Sequence, residues 1–285
     1  MRRLLDVLQA ASDYLAGKGV ENSRLVTEQL MSHVLKCPRL QLYLRFDADL
    51  DDVQLAALRG GVRRLAAHEP LQYVVGETDF MGHRFKVDRR ALIPRPETEI
   101  LVETILKDES LQAVPSPAVA DVGAGSGCVA ISLALGRPDA RVTGFDASNE
   151  ALALARENAV LNGVAGRVEF RLSDLLAGVA PASFDAIAAN LPYIPSAECD
   201  RLPRHIRDYE PRRALDGGED GLSVVRRLIE AAAPALKAGG SLFLETGCDQ
   251  TLLAAGQMSA RGYTGVDVRQ DLAGRERVVI GRKPI

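Results

Sequence analysis

The sequence has little of what builds a metal centre or a disulfide framework. Its 285 residues include only four cysteines and four histidines. The cysteines at positions 37, 128, 199 and 248 form no Cys-x-x-Cys pair, and the histidines form no ligand-like cluster. Structural zinc sites need closely spaced pairs of such residues. We therefore expect no metal site and interpret the cysteines as reduced thiols of a cytosolic protein.

An excess of positive charge is also missing. Lysine and arginine total 35 and the acidic residues 38, for a net charge of −3. Proteins that grip long stretches of nucleic acid usually carry a basic field, so we expect no direct nucleic-acid ligand. The longest uncharged run, 122–136, is shorter than the roughly 20 residues of a membrane span. Asp6 and Asp13 interrupt the N-terminal apolar stretch too early for a signal peptide. We expect a soluble, cytoplasmic monomer that binds no membrane.

Apolar residues at helical spacing predict a small N-terminal domain, residues 1–72. The pattern indicates helices over 4–15, 23–36 and 52–68, the last with an acidic pair at its start. Residues 73–90 are predicted as a β-hairpin linker, with Tyr73–Val75 as one short strand and a further strand pattern around Gly82. Phe80 in this segment is interpreted either as a core residue or as a side chain that reaches the substrate.

Beyond Pro94, strand and helix patterns alternate. Strands are predicted at 118–122, 141–145, 167–171, 184–189, 241–246, 264–269 and 276–281, and helices at 97–107, 127–136, 149–162, 220–236 and 250–261. Alternation of this kind is typical of a doubly wound α/β fold with a parallel sheet. Residues 91–285 are therefore predicted to form one Rossmann-like catalytic domain.

A glycine-rich loop follows the first of these strands. Its residues are Asp121, Gly123, Ala124, Gly125, Ser126 and Gly127. Glycines allow a sharp turn and let a ligand approach backbone N–H groups at a helix N-terminus. Cys128 stands where a dinucleotide-binding fingerprint would have its third glycine. The loop therefore favours S-adenosylmethionine, whose carboxylate is small, over a nicotinamide dinucleotide.

Two acidic residues follow at the ends of the next strands. Asp146 lies about 20 residues past the loop, where a carboxylate is typical of ribose recognition. Asp174 is predicted to accept from the adenine amino group, with Leu175 packing against the ring. The alternatives are an acid at a helix N-terminus for Asp146 and a turn residue for Asp174.

The fourth strand leads into a second polar loop, Asn190, Leu191, Pro192 and Tyr193. Ligands of open parallel sheets bind beyond the carboxyl ends of the strands, so we expect this loop to face the cofactor and Asn190 to be one of the cofactor-binding residues. An asparagine oxygen and a neighbouring backbone carbonyl match the two hydrogens of a planar NH2 group. We assign Asn190 Oδ1 and the Leu191 carbonyl as these acceptors, with Tyr193 stacking on the planar group. The alternative is a proline-stiffened loop with a capping asparagine.

The chain resembles the PrmC/HemK family, the glutamine methyltransferases of peptide chain release factors. The resemblance is carried by Leu92–Glu99, the loop Asp121–Gly127, Asn190–Tyr193 and Glu210–Gly218. It implies a class I S-adenosylmethionine-dependent methyltransferase with a helical N-terminal domain for substrate recognition. It also implies that the substrate is the glutamine in the Gly-Gly-Gln loop of class 1 release factors.

The chain departs from the family pattern Asn-Pro-Pro-Tyr at one position, where it has Leu191. Pro192 still favours an extended backbone at Leu191, whose carbonyl remains available, but the fixed φ of a proline ring is lost. We expect weaker preorganisation and not a dead site. Arg95 and Glu97 are predicted to line the substrate channel. For Arg95 the alternative is an ion pair with a structural carboxylate.

Three rival functions use some of the same features. A DNA or RNA base-amino methyltransferase would use the same Asn-x-Pro-Tyr loop, but residues 1–72 show no basic face. A nicotinamide-dependent dehydrogenase lacks support, because the third fingerprint glycine and an obvious catalytic histidine or lysine are missing. A cofactor-binding protein that has lost catalysis is suggested only by Leu191.

Overall fold

Leucines at helical spacing form the N-terminal unit in the computed structural model, which describes residues 2–285. This unit comprises Met1–Glu77 together with Pro203–Tyr209. Its first elements are β1 (Arg2–Arg3), α1 (Leu4–Gly17), α2 (Ser23–Leu35), α3 (Arg39–Tyr43), β2 (Asp49–Leu50), α4 (Asp52–Ala66) and α5 (Leu71–Val75). Leu4, Leu8 and Leu15 of α1 are buried in one cluster with leucines of α2 and α4. The three predicted helices are confirmed.

The first residue of the acidic pair, Asp51, caps helix α4, and the second, Asp52, is its first residue. Asp51 Oδ1 accepts from the backbone N–H of Gln54 at 2.7 Å, and Gln54 Oε1 accepts from the backbone N–H of Asp51 at 3.0 Å. This reciprocal pair satisfies donors that a helix start leaves without partners. The local sequence therefore fixes where the third long helix of the unit begins.

The predicted strand at Tyr73–Val75 is wrong, because these residues belong to helix α5. Pro70 supplies the extended N-cap of this helix, and Gly76 ends it with a φ of 84°. The hairpin begins after that glycine, with β3 (Glu77–Phe80) and β4 (His83–Lys86) on either side of Gly82. The short β-branched run looked like a strand, but the flanking proline and glycine determine a helical turn.

The rest of the chain alternates helix and strand as the sequence predicted. The elements are α6 (Thr98–Leu106), α7 (Glu109–Gln112), β5 (Ala118–Val122), α8 (Cys128–Gly136), β6 (Arg141–Asp146), α9 (Asn149–Leu161), β7 (Val168–Leu172), β8 (Phe184–Asn190), α10 (Ser196–Cys199), α11 (Arg204–Arg207), α12 (Ser223–Ala235), β9 (Leu236–Glu245), α13 (Thr251–Ala260), β10 (Thr264–Gln270) and β11 (Glu276–Arg282). All except α11 belong to the second unit, Thr78–Leu202 with Glu210–Ile285.

The central sheet of the second unit, all of which the structure describes, has seven strands in the order β10-β11-β9-β8-β5-β6-β7. The pairs from β7 to β9 are parallel, but β11 is antiparallel to both of its neighbours. The sheet is therefore mixed and not purely parallel. Only a short turn, containing Gly274 with a φ of 75°, separates β10 from β11, and so short a connection permits only a hairpin.

Apolar layers cover both faces of this sheet. One contains side chains of α6, α8 and α9, with Phe80 and Phe85 of the hairpin at an interplanar angle of 82°. The other contains side chains of α12 and α13. Phe80 is only 1% exposed, so it is a core residue. Helices on both faces of a largely parallel sheet define the class I, Rossmann-like α/β fold that the sequence predicted.

The strand order determines where a ligand binds. From β5 the chain proceeds outward through β6 and β7, and then returns to the other side of β5 as β8. Ligands of open α/β sheets occupy the crevice at the carboxyl ends of strands where the order reverses. Here that crevice lies between the loops after β5 and β8, which carry the glycines and Asn190.

The four cysteines, all of them in the described part of the chain, form no disulfide with one another. Residues 37, 128, 199 and 248 are all free cysteines. Within residues 2–285, no helix combines the length and the apolar character that a bilayer crossing requires.

Two adjacent glycines of α4 provide a matched test of helix packing in the N-terminal unit. A Cβ on Gly60 would meet nothing within 4 Å, whereas one on Gly61 would lie 2.6 Å from Leu30 Cδ1. Gly60→Ala should stabilise the unit by about 0.5–1 kcal/mol through helix propensity. Gly61→Ala should destabilise it by about 1–3 kcal/mol, because the buried side chain of Leu30 would have to shift within the packed cluster. Hydrogen exchange of the α2 and α4 amides measures the stability change in each variant. Equal changes for the two substitutions would contradict this packing.

Candidate active site

The glycine loop folds back on the neighbouring strand. The backbone N–H groups of Gly123 and Ala124 both donate to the Phe145 carbonyl, at 2.8 and 2.9 Å. Gly123 has a φ of 82°, and a Cβ there would lie 3.0 Å from Leu191 Cδ2. The position therefore requires glycine for its backbone conformation and for the close approach of the second polar loop.

Most N–H groups of this loop are already used within the protein. Besides the two that donate to Phe145, that of Gly125 donates to Asp146 Oδ2 at 2.8 Å, and that of Gly127 donates to the Ala124 carbonyl at 2.7 Å. The hydroxyl of Ser126, in contrast, is buried and has no hydrogen-bond partner among residues 2–285. Ser126 lines the cavity described below, although its hydroxyl oxygen is itself buried.

Asp146 is held rigidly at the end of β6. Its Oδ2 accepts from Gly125, and its Oδ1 accepts from the backbone N–H of Ser148 at 2.8 Å. A carboxylate oxygen has two acceptor positions, so each oxygen retains one for a ligand. The side chain therefore presents two fixed acceptors side by side, which suits a pair of neighbouring hydroxyls.

Two further acids differ sharply in environment. Asp121 is 1% exposed and accepts from the Ala130 N–H at 3.0 Å. Burial raises its pKa to about 7, and the hydrogen bond from Ala130 opposes this rise. Asp174 is exposed and forms an ion pair with Arg227, with 2.6 Å between Oδ2 and Nη2. The sequence did not indicate this partner, which lies 53 residues further along the chain.

Asn190 is the last residue of β8, opposite Glu245 at the end of β9. Its Nδ2 donates to Thr98 Oγ1 at 2.9 Å. Thr98 thus takes the Nδ2 end of the amide, and Asn190 lines the cavity described below, which leaves Oδ1 as the candidate acceptor for a ligand. The next residue, Leu191, is 5% exposed and packs over Gly123. Apolar packing thus supports the loop where the family pattern has a proline ring.

The backbone of the polar loop is supported by the stretch Leu215–Gly218. Ile194 donates to the Leu215 carbonyl at 2.9 Å, and Gly217 donates back to Ile194 at 2.8 Å. A Cβ on Gly217 would lie 2.7 Å from the Pro192 carbonyl oxygen. Gln250 Nε2 donates to the Tyr193 carbonyl at 2.9 Å. These contacts explain why small residues occur in this stretch, which the sequence marked only by resemblance.

Arg95 forms an ion pair with Glu210, with 2.5 Å between Nη2 and Oε1. The other oxygen of Glu210 accepts from the Ile93 N–H at 3.2 Å, and Glu210 is 4% exposed. The structural carboxylate that the sequence left open as a partner for Arg95 therefore exists. Arg95 also lines the cavity, so its predicted place near the substrate channel stays a prediction.

A cavity of about 370 Å³ joins these features. Most of the predicted site residues line it: Asp121, Gly123, Ala124, Gly125, Ser126, Asp146, Asp174, Leu175, Asn190, Leu191, Pro192 and Arg95. Gly127, Tyr193 and Glu97 are not among its lining residues. Burial raises the pKa of the Tyr193 hydroxyl. A pocket of this size with few convergent polar groups is typical of cofactor sites, and the paired acceptors of Asp146 fit the ribose hydroxyls of a nucleoside.

Glu245, which the sequence analysis did not single out, lies opposite Asn190 at the same sheet edge. It is 3% exposed, and burial raises its pKa to about 7. Thr98 and Asn190 lie within hydrogen-bonding reach of its carboxyl group, and both contacts oppose the rise. The sequence carried one signal for Glu245: it is an acid that directly follows the apolar run Leu242–Leu244, at the end of a predicted strand. Thr98 lies in the stretch Leu92–Glu99 that carries the resemblance, but no role was predicted for it.

The chain is similar to known proteins over nearly its whole length. Models of the PrmC N-terminal domain and of the methyltransferase small domain match residues 6–76 and 96–201. A release factor glutamine methyltransferase of Geobacter sulfurreducens is 44% identical, with 97% of this chain and 95% of the relative covered. One of Moorella thermoacetica is 42% identical, with 96% of each chain covered.

A solved methyltransferase of Pyrococcus furiosus has a TM-score of 0.54 and 18% identity, with 83% of this chain and 100% of that one covered. That likeness is one of fold. The two relatives named above are 44% and 42% identical, over 97% and 96% of this chain. The chain therefore belongs to the release factor glutamine methyltransferase family.

Proposed function

We propose that this protein transfers a methyl group from S-adenosylmethionine to the side-chain amide nitrogen of glutamine in the Gly-Gly-Gln loop of class 1 release factors. The carrying observation is that Asn190 and Leu191 line the same cavity as the glycine loop and Asp146. A pair of acceptors for an NH2 group therefore adjoins the pocket for a nucleoside. The names of the relatives support the same reaction.

Bound S-adenosylmethionine would supply an electrophilic methyl group. Asp146 would accept from the ribose hydroxyls through the free positions of both oxygens. Most loop N–H groups are used internally, and Ser126, which lines the cavity, is the proposed contact for the methionine carboxylate. Leu175 would pack on the adenine, and Asp174 would accept from its amino group, keeping the ion pair with Arg227.

At the chemical end of the cavity, Asn190 Oδ1 and the Leu191 carbonyl would accept the two hydrogens of the glutamine amide. Holding both hydrogens aims the nitrogen lone pair at the methyl group and stabilises the positive charge that develops on nitrogen. No strong base is required, because the N–H proton becomes acidic once the nitrogen is methylated. Pro192 would hold the loop extended, and Tyr193 and Glu97 remain proposed substrate contacts outside the cavity lining.

The proposed substrate acts in translation, so we propose a cytoplasmic enzyme that works as a monomer and binds a protein and not nucleic acid. The net charge of −3 supports this choice of partner. We propose that the helical residues 1–72 recognise the body of the release factor, that the hairpin region 73–90 is the linker, and that residues 91–285 carry out the transfer. The model match at residues 6–76 supports a distinct role for the first segment.

The substrate is tested with labelled S-adenosylmethionine, offered with a class 1 release factor and, separately, with single- and double-stranded oligonucleotides. Mass spectrometry should find one added methyl on the Gly-Gly-Gln peptide and none on the oligonucleotides. A release factor with alanine in place of that glutamine is the control and should stay unmodified. Methylation of the oligonucleotides alone would support the base-amino methyltransferase instead.

Replacing the side-chain acceptor should separate transfer from cofactor binding. Asn190→Ala should lower kcat by about 100- to 1,000-fold, the usual effect of losing one preorganised transition-state contact. The dissociation constant for S-adenosylmethionine, measured by calorimetry, should change little, because the nucleoside contacts lie on other strands. Unchanged turnover would rule out the proposed role of Asn190.

The cofactor assignment predicts the converse behaviour for Asp146. Asp146→Asn should weaken S-adenosylmethionine binding by about 10- to 100-fold, since hydrogen bonds to a charged acceptor are lost and an NH2 group faces a backbone N–H. Asp267→Asn, on the exposed strand β10, is the matched control and should bind normally. Equal affinity for the two variants in calorimetry would contradict the assignment.

A further inference from the structure

The buried carboxyl group of Glu245 has no role in the proposed methyl transfer. It lies at the end of β9, beside Asn190 at the end of β8. Its Oε2 is buried and has no hydrogen-bond partner within residues 2–285. A buried acid is costly unless something compensates for it, so its neighbours are informative. Two of them lie within hydrogen-bonding reach: Thr98, 3% exposed, and the side chain of Asn190.

The hydroxyl of Thr98 connects the other two groups. Its oxygen accepts a hydrogen from Asn190 Nδ2 at 2.9 Å. A threonine hydroxyl has one hydrogen of its own, and Glu245 lies within hydrogen-bonding reach to accept it. The carboxyl group is also within reach of Asn190, whose NH2 group has a second hydrogen. In its ionised form the carboxylate only accepts, so that form gives these bonds a single direction.

That direction determines which end of the Asn190 amide is left for a ligand. With both NH2 hydrogens directed at Thr98 and Glu245, the Oδ1 carbonyl is the free end. If the amide were turned over, its NH2 group would meet the NH2 group of the target glutamine, donor against donor. An asparagine amide has nearly the same shape in both orientations, so only its partners distinguish them.

We propose that Thr98 and Glu245 are positioning residues, which turn Asn190 Oδ1 toward the substrate amide through a hydrogen-bond chain from Asn190 to Thr98 and Glu245. The inference rests on the proposed function, because it concerns the orientation in which Asn190 accepts from glutamine. Neither residue needs to touch the substrate. Thr98 comes from the start of α6 and Glu245 from β9, so two elements fix the side chain of a third.

Other charged and titratable groups surround Glu245. Arg277 of β11 favours its ionised form, whereas Glu97 opposes it. Tyr193 and Cys128 also interact electrostatically with this carboxyl group. Burial is the largest influence and raises its pKa to about 7, and the Thr98 hydrogen bond lowers that value. Removing the hydroxyl should therefore move the pKa further upward.

The test compares Thr98→Val, which keeps the shape of the side chain but lacks the hydroxyl, with Thr98→Ser, which keeps the hydroxyl. Thr98→Val should lower kcat for methylation of a release factor by about 10- to 100-fold, because the acceptor is no longer held in place. Affinity for S-adenosylmethionine should change little, and Thr98→Ser should recover most of the turnover. Glu245→Gln, whose amide both donates and accepts, should also lower kcat.

A second measurement does not depend on turnover. NMR titration of the Glu245 carboxyl carbon should give a pKa near 7 in the unmodified protein. The value should be higher in Thr98→Val and restored in Thr98→Ser. If Thr98→Val keeps full kcat, or leaves the pKa of Glu245 unchanged, the inference is overturned. If the unmodified protein methylates no release factor, the proposed function fails, and the titration still tests the hydrogen-bond chain by itself.

Discussion

Two neighbouring parallel strands that end at the same level impose the constraint on which the site depends. The register of β8 and β9 pairs Asn190 with Glu245. In a parallel pair this places both side chains at the carboxyl edge of the sheet, where the glycine loop after β5 also lies. Thr98, at the start of α6, completes the group. The register of the backbone hydrogen bonds therefore places these polar side chains next to one another without any contribution from a ligand.

The stretches that carry the family resemblance line the cavity and also support the sheet edge at which it opens. Glu210 binds both Arg95 and the backbone at Ile93, which joins two segments more than a hundred residues apart. Leu215–Gly218 bonds to the loop after Asn190, and Gln250 holds the Tyr193 carbonyl. Preorganisation of a weakly nucleophilic amide requires acceptors that do not move, and these contacts restrain the acceptor loop from several sides.

The sequence predicted the order of helices and strands in the catalytic part because periodicity and glycine punctuation are local signals. It failed at Tyr73–Val75, where flanking proline and glycine outweighed strand propensity, and at β11, whose direction depends on the length of a turn. Motif spacing predicted Asp146 and Asn190 as site residues, and both line the same cavity. The partners Thr98, Glu210, Arg227 and Glu245 were not predicted, because long-range pairing depends on strand register and loop paths that no local pattern specifies.

The central claim is that two carbonyl oxygens, on Asn190 and Leu191, receive the two hydrogens of the target amide. A crystal structure of the protein with S-adenosylhomocysteine and a peptide containing Gly-Gly-Gln tests it most directly. The account predicts the glutamine amide nitrogen within about 2.7–3.2 Å of both oxygens, with its free face toward the cofactor sulfur. A glutamine bound elsewhere, or one whose amide oxygen faces an Asn190 turned to present Nδ2, would contradict it.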